Sequence, residues 1–166
     1  MSINQKEEFA SIINDILKNK KVKEMDSELH HGITRYGHSI RVAKATYKCA
    51  KKLRLDYVSA TRAAMLHDFY LDSDFDKSIE TKEKLKTHAE VAVENAKKYF
   101  NISEKEANII GSHMFPLGNI KPKYKESWLV TSMDKSVAIY EGYRFQFALL
   151  ISIWTIFIFN MIAIQR

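Results

Sequence analysis

The dipeptide His67-Asp68 closes a stretch, Ala60-Thr61-Arg62-Ala63-Ala64-Met65-Leu66, that leaves a chain few folding options. Ala60, Ala63 and Ala64 lie 7, 4 and 3 positions before His67. On a 3.6-residue helix those offsets put all four on one face. The face is small and apolar, so it packs inward and takes an imidazole with it, with a carboxylate directly beside. A buried ionised carboxylate is costly unless it is paired or coordinates a metal. Any fold for this chain must bring compensating groups to the end of this helix.

Such groups recur along the sequence, each on an apolar helical stripe. Phe9, Ile12, Ile13, Ile16 and Leu17 predict a first helix over about residues 4–20, closed by the polar run Lys18-Asn19-Lys20-Lys21. A second helix is expected over 36–53, where Val42 and Ala45 follow His38 by 4 and 7 positions and set it on the apolar side. Asp56 suits the N-cap of the helix ending at His67-Asp68. Residues 70–86 contain Asp72, Asp74 and Asp76 but lack the glycine and later glutamate of a calcium loop, and read as a solvated loop. Thr87-His88-Ala89-Glu90 and Ser103-Glu104-Lys105-Glu106 carry the capping-box pattern and predict helices over about 87–100 and from 103 to near Phe115-Pro116. His88 then falls in a first turn and His113 near a last turn, set inward by Ile109 and Ile110. After a basic loop, a helix from about Glu126 carries Asp134 among Val130, Val137 and Ala138.

The 166 residues suffice for one domain with a proper core, and an apolar fraction of 46% with 28% charged residues fits a globular chain. Cys49 is the sole cysteine, which excludes an intramolecular disulfide framework and makes a reducing cytosol the natural compartment. Its neighbours Ala45, Ala50 and Leu53 make it a packed small hydrophobe. No signal-peptide core is found in residues 1–8. The net charge of +6 fits anionic partners, phosphorylated ligands or lipid headgroups, as well as a merely basic surface. Residues 145–164 form an uncharged run of 20, flanked by Arg144 and Arg166. As a helix it would extend roughly 30 Å, the thickness of a hydrocarbon core. The expectation is a membrane anchor over 144–166 that tethers a cytoplasmic domain, residues 1–143, to the inner face of the cell membrane. A buried last helix or a dimer-forming helix is the alternative.

Six inward polar residues thus share one interior: His38, His67, Asp68, His88, His113 and Asp134. Four imidazoles and two carboxylates suit Fe, Mn, Zn or similar divalent ions, and helical bundles build two-metal sites from one or two such groups per helix. The order His38, His67-Asp68, Asp134 resembles the HD superfamily of metal-dependent phosphohydrolases over roughly residues 29–141. Thr34-Arg35-Tyr36-Gly37-His38-Ser39-Ile40-Arg41-Val42-Ala43, Leu66-His67-Asp68-Phe69, His113-Met114-Phe115-Pro116-Leu117 and Asp134-Lys135 are similar to small bacterial members.

The resemblance implies an all-α HD-domain helical bundle followed by the C-terminal hydrophobic helix. It also implies two divalent ions, Fe or Mn first, with Zn, Mg, Co or Ni as others. One ion would take His38, His67, Asp68 and Asp134; the other would take His88 and His113, with Asp68 bridging. That division is similar to the superfamily's diadenosine-tetraphosphate hydrolases and cyclic-dinucleotide phosphodiesterases. The Gly-Tyr-Pro signature of the latter is absent, Gly142-Tyr143-Arg144 being misplaced for it. The expected reaction is hydrolysis of a phosphate ester or anhydride, of a nucleotide or dinucleotide, by a metal-bound hydroxide activated through Asp68. Arg35, Arg41 and Lys135 are candidate phosphate contacts, Arg41 and Lys135 also catalytic ones, and His31 is a candidate substrate contact or proton donor. Nucleic acid is not an expected partner, and a homodimer stays open. Two other classes fit the ligands: a di-iron HD-fold oxygenase, and a non-catalytic metal-containing signalling module at the membrane.

Overall fold

Small side chains set the centre of the molecule. In the structure, a computed structural model, residues 1–27, 29–30, 33–76 and 78–164 are described, without the side chains of 29, 30, 148–150, 153, 154 and 156–164. Helix α1 spans Ile3–Ile12, α2 Asn14–Lys18 and α3 Lys20–Glu24. A 3-10 turn at Met25–Ser27 follows, then a minimal antiparallel pairing of β1 (Leu29–His30) with β2 (Ile33–Thr34), Leu29 opposite Thr34. The rest of the chain is helical: α4 (Arg35–Lys52), α5 (Tyr57–Leu66), α6 (Thr81–Tyr99), α7 (Glu104–Ser112) and α8 (Lys125–Ile164). This is the all-α architecture expected.

Helix α5 is central because it is thin. Ala60, Ala63 and Ala64 are fully buried, as are Val42, Ala43, Thr46 and Ala50 of α4. Residues this small let two backbones approach closely, and α4 against α5 is the most extensive helix pairing, followed by α4 on α8 and α5 and α6 on α7. Met65, Leu66 and Phe69 cap this layer with no exposure, each contributing about 1.5–3 kcal/mol by burial. Gly111 of α7 marks another close approach: a Cβ there would stand 2.7 Å from Ile120 Cδ1 and 3.3 Å from Val93 Cγ2. Cys49 packs, half-buried, beside Ala50, Ala60 and Leu129, as expected of a small hydrophobe.

Two of the expected caps are present. Asp56 accepts from Ser59 N at 3.1 Å, and Ser103 and Glu106 form the capping box of α7, with Ser103 N donating to Glu106 Oε2 at 2.8 Å. The third is corrected. Helix α6 begins at Thr81, so Thr87 is interior to it, its hydroxyl donating to the Glu83 carbonyl at 2.9 Å. A mid-helix threonine satisfies itself in this way, and the preceding Lys-Glu-Lys-Leu-Lys run consists of good helix formers. His88 therefore stands two turns into α6. The loop expected over 70–86 shrinks accordingly and is pinned by Asp74, which accepts from Leu71 N (2.8 Å), Asn95 Nδ2 (2.8 Å) and Lys21 Nζ (2.6 Å).

The single N-terminal helix expected over 4–20 is likewise divided, at Ile13. Arg62 of α5 donates to the Ile12 carbonyl at 2.9 Å and holds both Asp15 oxygens at 2.7 and 2.8 Å. The local bend keeps Ile13 and Ile16 fully buried. At the other end α8 runs unbroken through the boundary expected at 143–144. Among the described residues no helix is long and apolar enough to cross a membrane. The span expected at 145–164 falls mostly on side chains outside the described residues, and the membrane tether gains no support from the structure.

Candidate metal centre

Five helices deliver one cluster. His38 stands in the first turn of α4; His67 and His113 cap the C-terminal ends of α5 and α7; Asp68 follows in the turn after α5; His88 is on α6 and Asp134 on α8. All are buried except Asp134, whose side chain keeps 14% of its exposure. Their ligand atoms form three sets in which every member lies within 4.8 Å of the others: His38, His67 and Asp68; His67, His113 and Asp134; Asp68, His88 and His113. All six residues singled out as ligands in the sequence are thus brought together.

The rings are oriented by their outer nitrogens. The carbonyls of a helix's last turn lack the regular intrahelical partner, and two histidines use this directly. His67 Nδ1 meets the Ala64 carbonyl and His113 Nδ1 the Ile110 carbonyl, both at 2.8 Å. Since a carbonyl only accepts, each Nδ1 carries the proton, and each Nε2 of the neutral ring offers a lone pair inward. His38 Nδ1 meets Glu141 Oε2 at 2.7 Å, with the same result. Anchoring the outer nitrogen in this way is the usual arrangement around metal-ligating imidazoles.

The inner atoms divide around Asp68. Its Oδ2 faces His67 Nε2 at 3.5 Å, while its Oδ1 faces His88 Nε2 and His113 Nε2, each at 3.5 Å. Asp134 Oδ1 lies 3.0 Å from His38 Nε2 and 3.4 Å from His67 Nε2. His67 has no exposure, yet its Nε2 makes no hydrogen bond, a deficit worth about 1–3 kcal/mol when nothing else engages the atom. His88 Nε2 and His113 Nε2 face each other at 3.0 Å. An orphaned ring nitrogen between two carboxylates, and two ring nitrogens that face each other beside one Asp68 oxygen, form a donor set that a divalent cation satisfies.

The electrostatics agree. Burial would raise Asp68, but His67, His113 and His88 hold it well below the ordinary carboxylate range. Asp134 is likewise held down against burial, by His38 and His67. Burial opposes a charged His67, but Asp68 and Asp134 outweigh it and push the ring up to about 9. Burial dominates at His88, which falls to about 4 despite Asp68. The field that draws a proton onto His67 Nε2 draws a cation to the same place, so proton and metal compete there.

The expected phosphate contacts each have partners within the protein. Arg35 lies over the Tyr70 ring at 3.9 Å and donates to the Tyr70 carbonyl at 3.0 Å. Arg41 donates to Glu141 Oε1 at 2.8 Å. Lys135 donates to the carbonyls of Phe115 (2.9 Å) and His113 (3.3 Å). His31 lies outside the described residues. Sequence reasoning missed Glu141, which is 7% exposed. It follows Asp134 by two helical turns, a period that puts both on one face of α8. Tyr70 was missed too; its ring stands 5.2 Å from that of His88 and helps wall the cavity above the cluster.

No solved structure matches the chain. The family model described as HD domain matches residues 35–139, which is well over half of the chain. The matched span opens three residues before His38 and closes five after Asp134, enclosing every group of the cluster, and the chain belongs to the HD domain family, a superfamily of metal-dependent phosphohydrolases whose domains bind divalent metals.

Proposed function

We propose that this chain is a dinuclear metal-dependent phosphohydrolase that transfers the phosphoryl group of a phosphate ester or anhydride to water. The observation that carries the reading is the position of Asp68, with one oxygen turned to His67 and the other to His88 and His113. His38, His67, Asp68 and Asp134 would hold one divalent ion, and Asp68, His88 and His113 a second; Fe and Mn suit this nitrogen and oxygen set. When bound, such ions polarise phosphoryl oxygens and acidify a water.

The chain's own residues prepare that chemistry. The Ala64 and Ile110 carbonyls fix the His67 and His113 tautomers, and Glu141 fixes that of His38, so the ligand set is assembled before any ion or substrate arrives. Leu85, Met114 and Ala138 line the cavity over the cluster, and apolar walls strengthen electrostatic interactions beside them. No Ser or Cys is among the described lining residues, which favours direct attack by water over a covalent intermediate.

The test is metal analysis of the purified chain followed by assay of inorganic phosphate release. Phosphate release that is lost on chelation, restored by Mn or Fe, and abolished in Asp68→Ala together with metal retention is the expected result. Full activity with normal metal content in Asp68→Ala would refute the role of Asp68. Iron-dependent oxygen consumption without phosphate release would replace the hydrolase with an oxygenase.

A further inference from the structure

Part of the chain's positive charge gathers at a place that the metal chemistry does not use. Lys44 and Lys48 stand one turn apart on α4, and Lys6 stands on α1, three positions before Phe9. With Met1 and Phe9 they line a surface cleft of about 410 Å³, within the about 300–1,000 Å³ typical of small-molecule sites. Lys44 and Lys48 follow His38 by 6 and 10 positions, which is about 9 and 15 Å along the axis at about 1.5 Å per residue. No residue of the cleft lines the cavity over the metal-binding cluster.

The cleft is held together by the contacts beside it. Glu8 of α1 accepts from Tyr47 Oη at 2.5 Å, from Tyr57 Oη at 2.8 Å and from Lys51 Nζ, which ties α1 to both α4 and α5. The Phe9 ring meets the Tyr47 ring edge-on, centroids 5.7 Å apart. The backbones that carry the three lysines are therefore fixed relative to one another, so a ligand there does not have to order a loop.

Lys51 has what its neighbours on α4 lack. Glu8 neutralises it, whereas the ammonium groups of Lys6, Lys44 and Lys48 have no ion pair, hydrogen bond or ring contact among the described residues. Like charges four residues apart on a helix repel, and a cleft lined by one sign of charge focuses its field on the space between. The apolar Met1 and buried Phe9 lower the dielectric beside that space and strengthen its pull on an anion. Lysine binds phosphate as a point charge, and one phosphoryl group carries about 1.5 to 2 negative charges near neutral pH. Two joined phosphoryl groups match the three ammonium groups, and one alone leaves them in excess.

We infer that Lys6, Lys44 and Lys48 form a binding site for a soluble small molecule carrying a diphosphate group, separate from the metal centre.

The experiment titrates inorganic diphosphate into the metal-free full chain by calorimetry, so that no bound ion contributes to anion binding. About one diphosphate per chain is expected, with an affinity that falls as sodium chloride is added. It should exceed the affinity for orthophosphate by about tenfold or more. Lys6→Gln/Lys44→Gln/Lys48→Gln should weaken diphosphate binding by about tenfold or more, with an unchanged circular dichroism spectrum. Diphosphate should raise the melting temperature of the parent and not of this variant. Lys20→Gln/Lys23→Gln/Lys121→Gln removes the same charge from exposed positions away from the cleft. An equal loss in that variant, equal binding by the parent and the cleft variant, or no binding by the parent overturns the site. Vesicles of phosphatidylcholine and phosphatidic acid in equal parts supply the other source of phosphate. Sedimentation with them that needs the three lysines, without binding of soluble diphosphate, overturns the soluble ligand in favour of a lipid headgroup.

Discussion

Glu141 holds His38 in place, and its removal should weaken metal binding without unfolding the protein. Its Oε2 accepts from His38 Nδ1 at 2.7 Å and its Oε1 from Arg41 at 2.8 Å, and it is 7% exposed. A hydrogen bond to a charged group contributes about 1.5–3 kcal/mol, which at about 1.4 kcal/mol per decade is a loss of roughly 10- to 100-fold. That range agrees with the about 10–100-fold effect of removing the groups that orient metal ligands. Arg41 adds little to the loss, because its side chain is 45% exposed and water replaces the carboxylate. Glu141→Ala should therefore lower Mn affinity by about 10–100-fold, and Glu141→Gln, which retains an acceptor oxygen, by much less. Arg41→Ala serves as the control, since it leaves the His38–Glu141 bond in place. Calorimetric titration of the metal-free protein reads affinity directly, with circular dichroism reporting the fold. Glu141→Ala binding Mn within twofold of the unsubstituted chain, or Arg41→Ala proving equally damaging, would refute the reasoning.

Other perturbations follow from the same contacts. His88→Ala and His113→Ala should each lower metal content from about two ions per chain towards one, and unchanged content in both would reject a second ion there. Arg62→Ala removes the contacts to Ile12, Asp15 and Glu106 that tie α1, α2 and α7 to α5. The expected cost is about 1–3 kcal/mol, measured as a lower urea midpoint with unchanged slope; a midpoint equal to the parent would contradict it. Glu8 is held down to about 2 by Lys51, Tyr47 and Tyr57. Its contribution to stability is thus complete above the carboxylate's ordinary value and is lost as pH falls towards about 2. Glu8→Gln should flatten the fall in stability between pH 5 and pH 2, and parallel curves for the two proteins would count against the cluster.

Much of the centre was legible because metal ligands and helix stripes are periodic. His38, His67, Asp68, His88, His113 and Asp134 each announce themselves as polar residues on apolar faces, and helical spacing alone sends such faces inward. The capping box at Ser103 is equally local, two side chains reaching over one turn. Thr87-His88-Ala89-Glu90 has the same pattern and is not a cap, since the residues before it sustain a helix of their own. A four-residue pattern carries no information about what its upstream neighbours do.

What depended on the fold is of another kind. Glu141 reads as an ordinary charge near the end of an amphipathic stretch until α4 packs against α8 and buries it beside His38. Arg35, Arg41 and Lys135 are candidate phosphate contacts by sequence distance, and the structure gives them acceptors from residues up to a hundred positions away. The sequence by itself determined an all-helical chain and the six groups that share its interior, because burial of a helix face follows from spacing along one segment. Only the tertiary structure decided which nitrogen of each imidazole faces inward, which carboxylate oxygen serves which ring, and that no described cation lines the cavity. Those are properties of distances between segments, which no single helix contains.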